Sequence, residues 1–146
     1  MSDIGRAIRL EFPSHFDMLD FVQLLSDHMG EVGGLDEDAM HWVGVAVRES
    51  VINAIKHGNA DDETKRVVVE FRFEPISKPS ELIVRVVDQG TGFDSVEVAD
   101  PLAPENLLKS SGRGIFFMRS FMDDLQLRRA PEGGTEVWMV KKLGKG

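Results

Sequence analysis

Val67-Val68-Val69-Glu70-Phe71-Arg72-Phe73 and Leu82-Ile83-Val84-Arg85-Val86-Val87 decide the fold. Both runs are short, rich in β-branched residues, and alternate apolar with polar, the pattern of half-buried strands. The stretch between them, residues 75–80, holds Pro75 and Pro79 and predicts a hairpin-type connection. Directly after the second run comes Asp88-Gln89-Gly90-Thr91-Gly92, a tight glycine turn. On the N-terminal side, Ile8-Arg9-Leu10-Glu11-Phe12 alternates as a strand does, and Pro13 stops it. Ser14 is expected to cap the helix that follows, in which Phe16, Leu19, Phe21, Val22, Leu25 and Met29 recur at helical spacing. Gly33-Gly34 breaks the chain. A second helix is expected from near Asp36 to about His57, with Asp36, Glu37 and Asp38 suiting its N-terminal dipole and Gly58-Asn59 as its stop.

On the C-terminal side, residues 93–111 are irregular, with Pro101, Pro104 and few apolar anchors. Residues 112–123 predict a helix, and Leu125-Gln126-Leu127-Arg128 a strand. Glu132-Gly133-Gly134 then turns into a last strand, residues 135–141. The order β-α-α-β-β-loop-α-β-β predicts an α+β sandwich with helices on one face of a mostly antiparallel sheet. At roughly 150 residues per domain, the 146 residues form a single domain, 1–146.

Composition narrows the function. There is no cysteine, which excludes disulfides, thiolate metal sites and a cysteine nucleophile. Twenty-five acidic residues against 17 Lys and Arg give a net charge of −8. A surface this acidic repels nucleic acid and anionic lipid, so neither is an expected partner. The first residues lack a basic stretch followed by an apolar run, and no apolar stretch approaches the roughly 20 residues that span a bilayer. The expected location is the cytoplasm.

Three short elements carry chemistry. Glu49 and Asn53 lie four apart and share a face of the second helix. The opposite stripe, Val43, Val47, Val51 and Ala54, is expected to pack on the sheet. Trp42, Val45 and Ile52 make the helix apolar nearly all round, so it is mostly covered, and a carboxylate and an amide in it need partners. A solvated face and a functional face both remain open for them. The Asp88 turn is open in the same way. Asp often caps turns, but glycines at 90 and 92 also let a ligand approach the backbone closely. Ser111-Gly112-Arg113-Gly114-Ile115, at a helix start, either hinges or points backbone N–H groups at an anion.

Taken in order, Glu49-x-x-x-Asn53-Ala54-x-x-His57-Gly58, Asp88-x-Gly90-x-Gly92, Gly112-x-Gly114 and Gly134-Thr135 form a series. It resembles the nucleotide-binding boxes of the Bergerat-fold (GHKL) ATPases, which include histidine-kinase catalytic domains and type II topoisomerases. Within that superfamily the chain looks most like the anti-sigma-factor serine/threonine kinases of bacterial partner switching. The segments Glu49 to Gly58, Ser111-Gly112-Arg113-Gly114-Ile115-Phe116-Phe117-Met118, Phe121-Met122-Asp123-Asp124 and Gly133-Gly134-Thr135 carry the likeness. The resemblance implies a two-layer α/β sandwich with a mostly antiparallel mixed sheet and a mobile ATP lid over residues 94–110.

The resemblance also implies roles. Asn53 matches the Mg²⁺ ligand. Asp88 matches the carboxylate that accepts from the adenine amino group, with Thr135 supporting it through water. Gly90 and Gly92 shape the adenine pocket, and Gly112, Arg113 and Gly114 match the phosphate-contacting segment. Glu49 matches the general base that takes the proton from an attacking serine. Lys109 or Arg113 would reach the γ-phosphate, and His57 is expected to be a satisfied polar group near the helix end. The implied cofactors are ATP and Mg²⁺. The implied partners are a STAS-domain antagonist, which is phosphorylated, and a sigma factor or similar target, which is sequestered. A homodimer is expected too, with Phe12, Phe16 and Phe21 as candidates for its interface. No stretch is available for a phosphoacceptor-histidine hairpin, which argues against an intact sensor kinase. The competing functions are a nucleotide-dependent clamp without kinase activity and an ATPase without a protein acceptor.

Overall fold

The computed structural model describes residues 7–74, 80–90, 120–131 and 133–143. Strand alternation organises it. The strands are β1 (Ala7–Pro13), β2 (Arg66–Glu74), β3 (Glu81–Val87), β4 (Asp124–Arg129) and β5 (Thr135–Lys142). They form one sheet in the order β1-β2-β3-β5-β4, and every neighbouring pair is antiparallel. Among the described residues the sheet is thus wholly antiparallel, not mixed. The expected hairpin joins β2 to β3, with Ser80 N–H donating to the Glu74 carbonyl at 3.0 Å. In β2, Val67, Val69, Phe71 and Phe73 are buried, and the register sets Val69 opposite Val86. In β3, Val84 stands opposite Met139 of β5, again buried on both sides.

Two helices cover that face: α1 (Leu19–Val32) and α2 (Glu37–Asn53). The expected stripe of α2 is met, since Val43, Val47, Val51 and Ala54 are all buried in the core shared with the strands. Asp36 caps α2 with its side chain, accepting from Ala39 N–H at 2.7 Å. Its α-helical part is shorter than expected. It ends at Asn53, and a wider π turn runs over Ala54–Gly58. Ser14 is not a helix cap. A 3₁₀ turn, Phe16–Met18, leads into α1, and Ser14 instead donates to the Lys65 carbonyl at 2.7 Å. Phe12 is also corrected: it is a core residue, 2% exposed, so it offers nothing to an interface. Of the predicted helix over residues 112–123, residues 120–123 lie among the described residues: Ser120 and Phe121 are helical, and Met122 and Asp123 already bend out of it.

The other face of the sheet carries a charged lattice. Arg85 donates to Glu70 at 2.7 Å and to Glu136 at 2.9 Å. The two carboxylates, Glu136 above all, raise the guanidinium pKa above its ordinary value against the opposing effect of burial. Beside them the Trp138 ring takes Arg128 at 4.2 Å and Arg72 at 5.5 Å from its centroid, both cation–π contacts. The Glu136 side chain is only 6% exposed, and Arg128 approaches it to 4.0 Å. Replacing Arg85 by Met therefore strands a buried charge. It is expected to cost about 3–5 kcal/mol in urea unfolding, and R85M/E136M is expected to recover much of that loss.

Candidate functional site: a buried carboxylate hemmed by glycines

At the end of β3 the chain turns sharply at Asp88. Antiparallel pairing of β3 with β5 brings the start of β5 alongside. The Asp88 N–H donates to the Thr135 carbonyl at 3.0 Å, and Thr135 N–H returns to Asp88 Oδ1 at 3.1 Å. Gly90 N–H donates to the same oxygen at 3.0 Å. Asp88 is nearly buried, 5% exposed. Burial pushes its carboxyl pKa up, and the N–H groups of Gly90 and Thr135, with the charge of Lys65, only partly oppose that.

The surrounding backbone leaves no room for side chains. A Cβ on Gly58 would overlap the Asp88 carboxyl group, and one on Gly90 would overlap the Gly58 carbonyl. A Cβ on Gly134, which also has φ +83°, would overlap the Asp88 carbonyl. Three glycines from three segments thus press on one carboxylate. Its Oδ1 holds two N–H groups, while no described residue donates to Oδ2. Oδ2 can therefore accept a hydrogen bond from a ligand amine.

Gly58, which abuts this carboxylate, closes the π turn that follows α2. Asn53 is the last residue of α2, and Glu49 lies one turn earlier on the same face. Both are half-buried, and neither pairs with another described residue. Among the described residues no group of three or more His, Asp or Glu could hold a metal ion. Asn53 offers one amide oxygen, a ligand type that suits a hard cation such as Mg²⁺.

Of the residues singled out in the sequence, Asp88, Gly90 and Thr135 come into direct contact, and Glu49 and Asn53 sit on the helix whose end abuts them. Thr135 makes its contact by a direct backbone bond. Gly92, Gly112, Arg113, Gly114 and Lys109, with the expected lid, lie outside the described residues. His57 is exposed near the end of the π turn and bonds to no described residue. Sequence reasoning missed Asn59 and Gln89 and took Gly58 for a helix stop. The dipeptide Gly58-Asn59 at a helix end was the available signal, and it has the same form as an ordinary C-cap.

The fold is a two-layer α/β sandwich with a buried carboxylate at the end of its central strand. The chain belongs to the histidine kinase-like ATPase domain family, whose model matches residues 18–141. ATP is therefore its nucleotide. The anti-sigma F factor of Oceanobacillus iheyensis is 32% identical over 74% of this chain and 73% of its own length. That of Clostridium perfringens is 37% identical over 69% and 71%. The serine-protein kinase RsbW of Listeria monocytogenes is 24% identical over 99% and 92%. The fold is shared with a crystal structure of the RsbU and RsbW domains of Rv1364c from Mycobacterium tuberculosis. The TM-score is 0.65 and the identity 16%, over 94% of this chain and 32% of that one. A mycobacterial sensor histidine kinase, MprB, matches with a TM-score of 0.56 at 16% identity, over 92% of this chain and 97% of its own.

The burial of Asp88 makes stability depend on pH. Its pKa is raised in the folded protein above the ordinary 3.8. Its contribution to stability is therefore fully present below 3.8 and is lost as pH rises through the folded value. Asp88→Asn carries no charge and escapes that loss. Its melting temperature relative to wild type is expected to rise between about pH 3.5 and about pH 7, while ATP binding weakens by about 1–3 kcal/mol or more in calorimetry. Gly58→Ala should also weaken binding, but with a fall in melting temperature, because the new Cβ displaces the carboxylate.

Proposed function

We propose that the protein is an ATP-dependent serine/threonine kinase and anti-sigma-type switch. It phosphorylates a STAS-domain antagonist and sequesters a sigma factor or similar regulatory protein. The names of its relatives, serine-protein kinase and anti-sigma F factor, support this reading. The observation that carries the enzymatic part is the placement of Glu49. A clamp needs acceptors for the base and ligands for the phosphates, and it does not need a second, half-buried carboxylate one turn from Asn53 on the same face of α2.

The roles proposed are those that the motif series implies. Asp88 Oδ2 accepts from the adenine amino group, with Gly90 and Gly92 forming the walls of that pocket. Gly112, Arg113 and Gly114 contact the phosphates through the segment they occupy. Asn53 would hold Mg²⁺ by its side-chain oxygen, and the ion, when bound, neutralises charge on the phosphates. Glu49 accepts the proton of the substrate hydroxyl as that oxygen bonds to the γ-phosphorus and ADP leaves.

No helix among the described residues is long and apolar enough to cross a membrane. A homodimer is part of the proposal, with Phe16 and Phe21, 44% and 50% exposed, on its interface. Two such copies repel. Residues 10–47 hold eight acidic residues and no Lys or Arg, and the rest of the chain balances its charges. Dimerisation followed by light scattering is therefore expected to strengthen as salt rises from about 0.05 to about 0.5 M, where screening is short-ranged. A monomer mass at tens of micromolar in high salt contradicts the dimer.

The test of the enzyme is Glu49→Gln with radiolabelled ATP and a STAS substrate. ATP affinity is expected to stay within a few-fold, while phosphorylation falls by about 10²–10⁴-fold. Asn53→Ala is expected to weaken Mg²⁺-dependent binding and phosphotransfer together. A wild-type rate in Glu49→Gln removes Glu49 as the base. A wild type that phosphorylates no STAS protein leaves the clamp.

A further inference from the structure

Four segments distant in sequence meet behind Asp88, and one side chain joins them. Asn59 is fully buried, 0% exposed. Its Oδ1 accepts from the Gln89 N–H at 2.7 Å. Its Nδ2 donates to Ser14 Oγ at 2.9 Å and to the Arg66 carbonyl at 3.0 Å. Both amide hydrogens and one acceptor site are thus in use. Gln89 closes the circuit, its Oε1 accepting from Arg66 N–H at 2.7 Å.

The backbone around Asn59 is held in an uncommon shape. The next two residues, Ala60 and Asp61, have φ of 54° and 60°, in the left-handed region that non-glycine residues seldom occupy. Such a conformation persists where the surroundings over-determine it. Here the Asn59 and Asp61 N–H groups donate back to the Ala54 and Ile55 carbonyls of the π turn, both at 2.8 Å.

We infer that Asn59 is a positioning residue for the adenine-reading carboxylate. It touches no substrate. By accepting from Gln89 N–H it fixes the plane of the peptide immediately after Asp88. That plane fixes where the next peptide starts, and the next peptide carries the Gly90 N–H that donates to Oδ1; together they set the direction in which Oδ2 faces a ligand. Through its own backbone it also ties this turn to the end of α2, where Asn53 lies. The two halves of the nucleotide site are therefore held in register by one carboxamide. The inference rests on the nucleotide pocket described under Proposed function.

The experiment compares ATP and GTP binding by calorimetry in wild type, Asn59→Ala and Ser14→Ala, each with its melting temperature. In Asn59→Ala the preference for ATP over GTP is expected to fall about tenfold. Ser14→Ala breaks only the far end of the network and should lower the melting temperature while keeping that preference. An unchanged preference in Asn59→Ala, or an equal loss in Ser14→Ala, overturns the positioning role and leaves the pocket standing. A wild type that binds neither nucleotide overturns the pocket and the inference with it. Should Asn59→Ala fail to fold, nuclear magnetic resonance of the wild type decides. ATP is expected to shift the Asn59 side-chain amide and Gln89 N–H signals, and inorganic tripolyphosphate is not. An Asn59 amide that does not respond to ATP overturns the inference.

Discussion

The rest of the site depends on keeping one carboxylate, that of Asp88, out of water. Burying a carboxylate is unfavourable unless hydrogen bonds replace its hydration. Among the described residues two backbone N–H groups do so, both on Oδ1, and burial still pushes the carboxyl pKa up. No described residue donates to Oδ2, which leaves that oxygen able to accept from a ligand. The topology serves this end. Inserting β5 between β3 and β4 puts Thr135 beside Asp88, and the π turn after α2 delivers Gly58 against the same carboxyl group. Side chains at positions 58, 90 and 134 would each force the three segments apart.

Much of this was legible in the sequence. The strands were readable because each has one buried face, so the apolar period of two survives in β2 and β3. The buried stripe of α2 was readable for the corresponding reason at a period near 3.6. Asp88 and its glycines stood out only in series with Glu49, Asn53 and Gly134-Thr135, since alone the turn has the form of an ordinary Asp-capped one. What escaped was set by long-range contacts. Ser14 has the local look of a helix cap, yet it bonds to Asn59, 45 residues away. Phe12 and Phe21 look alike in sequence, but the register puts Phe12 opposite Val67 in the core, while Phe21 projects from α1 into solvent. No local pattern marks Asn59, whose partners come from the ends of β1 and β3 and the start of β2.

The two faces of the molecule solve different problems. The helix-covered face supplies apolar burial and the frame of the pocket. The opposite face keeps its apolar Ile83 and Val140, 3% and 8% exposed, among the Arg85–Glu70–Glu136 lattice and the Trp138 ring with its two arginines. Charged side chains there also leave a sheet face unattractive to a second sheet. The net acidity of the protein sits elsewhere, mostly on α1 and the start of α2, together with most of the exposed large hydrophobic residues among those described. The acidic, partly apolar helical surface and the buried carboxylate at the strand ends are thus separate parts of the molecule.

The central claim is that Asp88 Oδ2 reads the exocyclic amine of adenine. Its most direct test is the affinity of the wild type for ATP against purine riboside triphosphate, which lacks only that amine. The account predicts that the analogue binds roughly tenfold or more weakly to wild type, and no more weakly than ATP to Asp88→Asn. Equal affinities for the two nucleotides in the wild type would contradict it.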